Sequence, residues 1–450
     1  MNLPDYFIAD LPPEHAMTPT LVTEACQTLK RNRAQYLAAR STSSIVGVLS
    51  ATAQSWLDPQ SPFRRIAMER GVVETGFSGP TLARGLDAFF GQFTSENLHA
   101  LIAQDLGHAE RLDRFTGDRH SQTNALARGP ELLVHIAAGN IPNPTLFSIV
   151  LGFLARSAQF VKCARGTSLL PRLFAHSIYE VEPKLAACLE IAEWPGGTET
   201  LEAPLFAEAD CVTATGSDET LATIRRRLPP RVRFLGHGHR VSFGYIAPEA
   251  LARYELKNTA QKAARDVAAW NQLGCLSPHV FYVEHGGAVS PEKFAEALAE
   301  ELTALEAVEP RGKISTEASA VLAAQRGIYE VRAASTEDTR LWASAGSTAW
   351  TVVYESDPRF QISCLNRFIY VKPAADLTEA LRHAEAVHGH VSTVGLAATG
   401  DAAQKMALQL ARWGVTRVCP LGQMQNPPLT WRHDGRPTLG DLVTWTDWES

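Results

Sequence analysis

The sequence predicts an α/β protein in which two doubly wound α/β domains follow a helical N-terminal region. Three observations carry this expectation. From residue 131 onward, short apolar or β-branched runs alternate with stretches of helical length. Many of the short runs end at Gly, Asn or Ser, the turn residues that follow strands of a parallel sheet. Residues 14–130 have another texture, rich in Ala, Leu, Glu and Arg and broken only at Pro59, Pro62 and the 76–80 stretch.

The helical region, taken as 1–130, carries no chemical motif and is expected to pack on the domain after it. Leu132–Ala138 is a short apolar run ending at Gly139-Asn140-Ile141-Pro142. Residues 145–157 suit a helix and Ala158–Cys163 a second strand, which makes one βαβ unit with parallel strands and a right-handed crossover. A helix over 169–183 and a strand over 187–194 come next, the latter stopped by Pro195-Gly196-Gly197. A strand at 210–215 runs into Gly216-Ser217, and the helix over 218–228 begins with Asp218 and Glu219, acids suited to its positive end. A strand at 232–235 precedes Gly236-His237-Gly238-His239. These elements form a domain of the dinucleotide-binding type over 131–245. Ligands of such sheets bind beyond the C-terminal strand ends, so the loops at 139–142, 162–168, 215–217 and 236–239 should share one crevice.

The second domain is assigned to 246–419. A helix over 258–272 is expected to stop at Gly274, with Cys275 immediately after it. A strand at 280–283, a helix at 291–306, strands at 350–354 and 367–372, a helix at 376–388, a strand at Val391–Ala397 and a helix at 401–413 continue the alternation. The tail, 420–450, is rich in Pro, Gly and Trp and suggests an irregular wrap.

Composition excludes several classes. Of 450 residues, 45% are hydrophobic and 20% charged, the balance of a globular chain rather than a disordered or fibrous one. With 42 basic and 48 acidic side chains the net charge is −6, which leaves no basic footprint for nucleic acid. The seven cysteines form no CxxC pair, so neither a zinc ribbon nor a disulfide framework is indicated, and a reducing cytoplasm is the expected setting. The N-terminus lacks the basic start and apolar block of a secretory signal, and the longest strongly apolar run, 146–155, is too short for the ~20 residues of a membrane helix. No membrane insertion is expected.

Cys275 is the sharpest chemical candidate, because a helix-to-strand turn can present a thiolate to a cleft; a buried apolar cysteine is the alternative. Asn140, at a strand end beside Pro142, is placed to donate to an oxyanion, or else simply forms a turn. Lys162 and Arg165 flank the end of the second strand, where two cations can hold a nucleotide phosphate or form a solvated edge. Gly216-Ser217 opens a helix whose free N–H groups can hold a pyrophosphate, although no GxGxxG fingerprint is present. His237 and His239 stand at i, i+2, but no third ligand is visible, so no metal is expected.

Together the segments HIAAGNIPNP (135–144), FVKCARGTSLLP (160–171), ADCVTATGSDETLATIR (209–225), RFLGHGHRVSFG (233–244), NQLGCLSPHVFYVE (271–284) and the ending 414–443 resemble the LuxC-like fatty acid reductases, acyl-CoA reductases of the aldehyde dehydrogenase superfamily. The resemblance implies an aldehyde dehydrogenase-like fold. It makes Cys275 the nucleophile and Asn140 the oxyanion donor. It places Lys162 on the adenosine ribose and Gly216-Ser217 under the pyrophosphate, and it counts Gly236, His237 and Gly238 among the cofactor-binding residues. Arg165 falls where NAD-preferring members often carry an acid, which implies NADPH. The superfamily's water-activating Glu has no counterpart in Leu235–His239, and its later Glu has no clear match, Glu355 being nearby without the surrounding motif. The implied activity is NADPH-dependent reduction of a long-chain acyl thioester to the aldehyde through acyl-Cys275. The acyl donor would be acyl-CoA or an acyl-carrier or acyl-protein partner, with an acyl-protein synthetase as a further partner and a homo-oligomeric state. An acyl-phosphate reductase, a non-redox cysteine acyltransferase and a degenerate scaffold subunit are the competing readings.

Overall fold

A computed structural model describes residues 3–12, 15, 17–117, 123–137 and 139–449. The chain divides into two units, one drawn from 1–75, 86–238 and 428–450, the other from 76–85 and 239–427.

The N-terminal region folds as five helices, α1 (Pro19–Tyr36), α2 (Thr42–Leu57), α3 (Pro62–Thr75), α4 (Gly79–Phe90) and α5 (Ser95–Leu106). Local sequence sets their starts. Thr18, Ser41 and Thr94 each cap a helix by accepting a backbone N–H two or three residues into it, and Pro19 adds a preset φ at the start of α1. The region is not wholly helical: β1 (Thr116–Gly117) and β2 (Thr123–Arg128) close it.

A βα alternation comes next: β3 (Leu132–Ile136), α6 (Asn143–Leu154), β4 (Ala158–Cys163), α7 (Leu169–Val181), α8 (Pro183–Ala186), β5 (Leu189–Glu193), α9 (Glu199–Glu208), β6 (Cys211–Thr215), α10 (Asp218–Arg227) and β7 (Arg233–His237). The five strands form a parallel sheet in the order β5-β4-β3-β6-β7. The chain runs outward from β3 in one direction and then from β6 in the other, so the topological switch point lies between β3 and β6. Every residue of β4 is buried, as expected for an inner strand covered on both faces.

The second unit contains β8 (Val241–Ile246), α11 (Leu256–Ala268), β9 (Pro278–Glu284), α12 (Pro291–Val308), α13 (Thr316–Ser335), β10 (Thr339–Ala343), β11 (Thr351–Glu355), β12 (Phe368–Ala374), α14 (Leu377–His383), β13 (Val391–Ala397), α15 (Gly400–Arg412) and β14 (Arg417–Pro420). Its sheet runs β10-β11-β12-β9-β8-β13-β14. All neighbours are parallel except β10 and β11.

Two expectations are corrected. A boundary at 245/246 would cut through β8, which is an inner strand of the seven-stranded sheet, so the second unit begins at His239. The tail is not simply an irregular wrap: β15 (Thr444–Glu449) pairs antiparallel with β2 over its whole length. Arg233 on β7 secures the approach to β15 by donating to the carbonyls of Leu442 at 2.7 Å and Val443 at 3.0 Å.

The residues before α1 are tied down by buried polar groups. The N–H of Ile8 donates to Glu190 at 2.7 Å, and Asp10 receives His176 Nε2 and Arg172 at 2.8 Å each. Burial pushes the Glu190 carboxyl up to about 8, against two backbone donors, Ile8 and Ile191, that favour the anion. The folded state therefore keeps a proton that the unfolded chain releases near 4.5. This contribution to stability is full below the unfolded value and is lost as pH rises through the folded one. Glu190→Gln should match the native melting temperature near pH 5 and exceed it increasingly toward about pH 9; parallel melting profiles across that range would show Glu190 ionised in the folded protein.

Candidate active site

In a parallel sheet all C-terminal strand ends share one edge, and the residues singled out in the first unit collect along it. The loop after β3 carries Asn140, which is exposed, and leads through Pro142 into α6. A Cβ on Gly139 would stand 3.1 Å from Thr167 Cγ2, so the loops after β3 and β4 lie against each other and glycine permits the approach. Lys162 is the penultimate residue of β4 and is only 3% exposed. Burial lowers its ammonium pKa, opposed by Glu202, Cys163 and Glu193. Among the described residues the Lys162 ammonium has no ion pair and no hydrogen bond, and it reaches toward Gly196 in the turn after β5. Arg165 is exposed on the loop beyond β4, where Glu193 of β5 accepts from Gly166 N–H at 2.8 Å.

Gly216 and Ser217 come directly after β6. Ser217 is the N-cap of α10, its Oγ accepting from Thr220 N–H at 3.3 Å, while Gly216 N–H donates to His237 O at 3.2 Å. Asp218 and Glu219 occupy the first turn of α10, so the helix dipole there already meets two acids. A Cβ on Gly238 would collide with Asp218 Oδ1, so a larger residue there would displace that carboxylate. Gly236 is less confined, with Phe234 3.0 Å and Leu221 3.2 Å from its Cβ position.

His237 has partners that sequence reasoning missed. Its ring stacks on His433 with centroids 4.3 Å apart and planes 8° from parallel, and Trp431 lies on His433 at 4.7 Å. Asp434 Oδ2 stands 3.1 Å from His237 Nδ1, and an Arg436 guanidinium nitrogen approaches the same ring nitrogen at 3.4 Å. The pairing expected from spacing, His237 with His239, gives way to His237 with His433 and Asp434, whose ligand atoms lie within 4.8 Å of one another. The lone pairs of imidazoles stacked this nearly parallel lie in separate planes, so both rings cannot face one ion unless one turns. About two hundred residues separate the partners, and only the fold brings them together.

Cys275 belongs to the second unit, in the turn between α11 and β9. The helix does not run to Gly274 as expected. It ends at Ala268 because Trp270, Asn271 and Gln272 adopt left-handed backbone angles, with φ of 50°, 50° and 65°. Each such residue without glycine's freedom costs about 1–2 kcal/mol, so the turn must be held from outside. Asn271 Nδ2 donates to Arg311 O at 2.6 Å, and Gln272 Nε2 donates to Pro278 O at 2.7 Å and Phe368 O at 2.9 Å. Trp270 packs edge-on to Phe77 at 5.1 Å and fills the space beside Gly85, where a Cβ would strike its ring. A matching left-handed run, Leu365, Asn366 and Arg367, feeds β12, the neighbour of β9. His279 joins the two, its Nδ1 accepting from Ser363 N–H at 3.0 Å.

The backbone of Cys275 is anchored to β8, its carbonyl accepting from Ser242 Oγ at 2.8 Å. Its side chain is half-buried. Cys26, Cys163 and Cys188 are pushed up to about 12 by burial, and Cys211, Cys364 and Cys419 to about 11, which keeps those thiols protonated. Glu355, at the end of β11, is buried against Lys372 at 3.2 Å and Arg332 at 2.7 Å, so its carboxylate is committed to structural ion pairs.

The family model for acyl-CoA reductase (LuxC) matches residues 37–445. The chain belongs to the LuxC family. It is therefore an oxidoreductase of the reductase type, as the resemblance implied. It is similar to the long-chain acyl-protein thioester reductase of Aliivibrio fischeri, 23% identical over 90% of this chain and 82% of that one. To its Vibrio harveyi namesake it is 23% identical over 65% of this chain and 60% of that one. Its fold is aldehyde dehydrogenase-like: an NAD-dependent benzaldehyde dehydrogenase from Corynebacterium glutamicum superposes with a TM-score of 0.71 at 16% identity, covering 97% of this chain and 90% of that one. A proline utilization A mutant from Bradyrhizobium japonicum gives 0.72 at 17% identity over 96% of this chain, which spans 45% of that longer protein. Among the described residues no helix is long and apolar enough to cross a membrane.

The turn that carries Cys275 should depend on Gln272. Gln272→Leu leaves the carbonyls of Pro278 and Phe368 without this donor and should lower stability by about 2 kcal/mol. It should also change the rate at which iodoacetamide alkylates Cys275; a variant that alkylates at the native rate would show that the turn holds without this amide.

Proposed function

We propose that this LuxC-family reductase converts an acyl thioester to the corresponding aldehyde through an acyl-Cys275 intermediate, using NADPH. The observation that carries the reading is the half-buried sulfur of Cys275 on a turn that the fold holds in place against backbone strain.

The Cys275 thiolate attacks the thioester carbonyl, forming a C–S bond, and the negative oxygen is stabilised by the Asn140 carboxamide and the Cys275 N–H. Collapse breaks the bond to the donor's sulfur, which leaves as a thiolate and takes up a proton. A thioester is thus exchanged for a thioester, at little free-energy cost. Hydride, which NADPH supplies when bound, converts acyl-Cys275 to a thiohemiacetal anion, and this collapses to the aldehyde and the Cys275 thiolate. The balance is one acyl thioester, one NADPH and one proton in, and one aldehyde, one thiol and one NADP+ out.

The first unit suits a nicotinamide dinucleotide. Lys162 is a largely buried lysine whose ammonium has no hydrogen bond or ion pair among the described residues, at the strand ends where this sheet type binds nucleotides. In this reading Lys162 holds the adenosine ribose, Arg165 meets the 2′-phosphate, and the Gly216-Ser217 and Gly236-His237-Gly238 turns shape the floor beneath the cofactor. The names of the relatives direct the donor toward an acyl-protein thioester.

Incubation with a long-chain acyl-CoA in the absence of NADPH should add the mass of the acyl group to one peptide, the one containing Cys275. Cys275→Ala should lose both the adduct and thioester-dependent NADPH oxidation, and reductase activity surviving in this variant would overturn the assignment. Arg165→Glu should raise the KM for NADPH about tenfold, the loss of one exposed charge-assisted contact, while leaving NADH use unchanged or improved. An equal effect on both cofactors would remove Arg165 from the 2′-phosphate.

A further inference from the structure

Helix α13 faces its own unit with one narrow stripe. Leu322, Arg326 and Tyr329 are its buried residues, at i, i+4 and i+7. The opposite stripe, Glu317, Val321, Ala324, Gly327, Ile328 and Val331, is exposed. Val321 is 50% exposed, Ile328 52% and Val331 67%. Beyond Glu317 this stripe carries no charge through Val331, whereas a solvated helix face is ordinarily polar. The preceding helix shows the usual pattern, with Lys293 and Glu300 outward. Gly327 is a second anomaly. Nothing lies within 4 Å of its Cβ position and its φ is not left-handed, so no contact within the chain calls for a glycine that weakens the helix.

The order of charges along the helix says what would cover this face. Glu317 stands at one end and Arg332 at the other, equally far from a midpoint between Ala324 and Gln325. A second copy of α13 laid antiparallel about that midpoint sets Glu317 of each copy against Arg332 of the other, and Val321 of each against Ile328 of the other. Such a match is the signature of an isologous interface, in which one patch is complementary to itself. Arg332 is preset for it: one nitrogen bonds Glu355 at 2.7 Å and the group lies over the Tyr329 ring at 5.3 Å, yet the side chain remains 49% exposed. Gly327, beside the midpoint, lets the two backbones approach closely. We infer that α13 is a self-association surface on which two copies of this chain pair antiparallel about Ala324.

The test uses the full chain. Sedimentation of the native protein should show a dimer or a multiple of it. Ile328→Glu, which brings two like charges into the apolar seam, should weaken association by about 30-fold or more, the range of a central interface residue. Its melting temperature at low concentration should be unchanged, because Ile328 points away from the core. Oxidation of Ala324→Cys should give a disulfide-linked dimer, whereas Gln404→Cys, exposed on α15, should not. A native chain that sediments as a monomer, an assembly that survives Ile328→Glu, or cross-linking through Gln404→Cys as fast as through Ala324→Cys would each overturn the inference.

Discussion

One buried amide holds the turn that carries Cys275. Gln272 donates to carbonyls on either side of it, Pro278 at the start of β9 and Phe368 at the start of β12. Three consecutive left-handed residues without a glycine persist only when their surroundings over-determine them. The surroundings here are two adjacent parallel strands, each entered through its own left-handed run. The position of Cys275 is thus set by the register of the sheet, and the strain falls on residues 270–272 rather than on the cysteine. If Cys275 is the nucleophile proposed above, this support from two strands is what would hold it in productive geometry.

How much of this is legible in the chain depends on the range of the interactions involved. The limits of β4 and β13 can be read directly, because each is a short, mostly buried run set between turn residues or helices, which leaves few other conformations available. The same holds for the βα loops and for Cys275 at a turn. The stop before that turn is misread for a physical reason: Gly274 suggests a glycine C-cap, but the break is made by Trp270, Asn271 and Gln272, whose composition carries no signal for left-handed backbone. β15 is hidden differently. Its residues are all exposed, Trp445 and Trp448 among them, and only pairing with β2, more than three hundred residues earlier in the chain, makes it a strand. His433 and Asp434 are invisible as partners of His237 for the same reason.

The electrostatics of the nucleotide-side edge are uneven. Asp218 and Glu219 satisfy the helix end that would otherwise attract an anion, and Glu193 is engaged with the Gly166 N–H. Lys162 stands apart: it is largely buried, and among the described residues its ammonium forms no ion pair or hydrogen bond, Glu202 and Glu193 acting on it only through space. A buried charge in that condition weakens the fold unless something supplies the missing partner. A ligand presenting hydroxyl or phosphate oxygens would recover that cost on binding. In the proposed reading, polar recognition at this edge would rest on one strand-end lysine more than on the helix dipole.

The departure at 235–239 bears on the fate of the proposed acyl-enzyme. Where hydrolytic relatives in the superfamily place a glutamate that activates water, this chain has Leu235-Gly236-His237-Gly238-His239, and the basic group nearest in character is the imidazole of His237. That ring is stacked against His433, its Nδ1 is contacted by Asp434 and Arg436, and Trp431 packs tilted against His433. Stacking sets the plane of the ring but leaves Nε2 without a hydrogen bond among the described residues, so what separates this segment from those relatives is the missing carboxylate rather than an immobile imidazole. A thioester lacking a base to deprotonate its attacker is slow to hydrolyse at neutral pH, so the proposed acyl-Cys275 would survive until hydride reaches it. Reduction then needs no feature that drives water away, only the lack of one that recruits it.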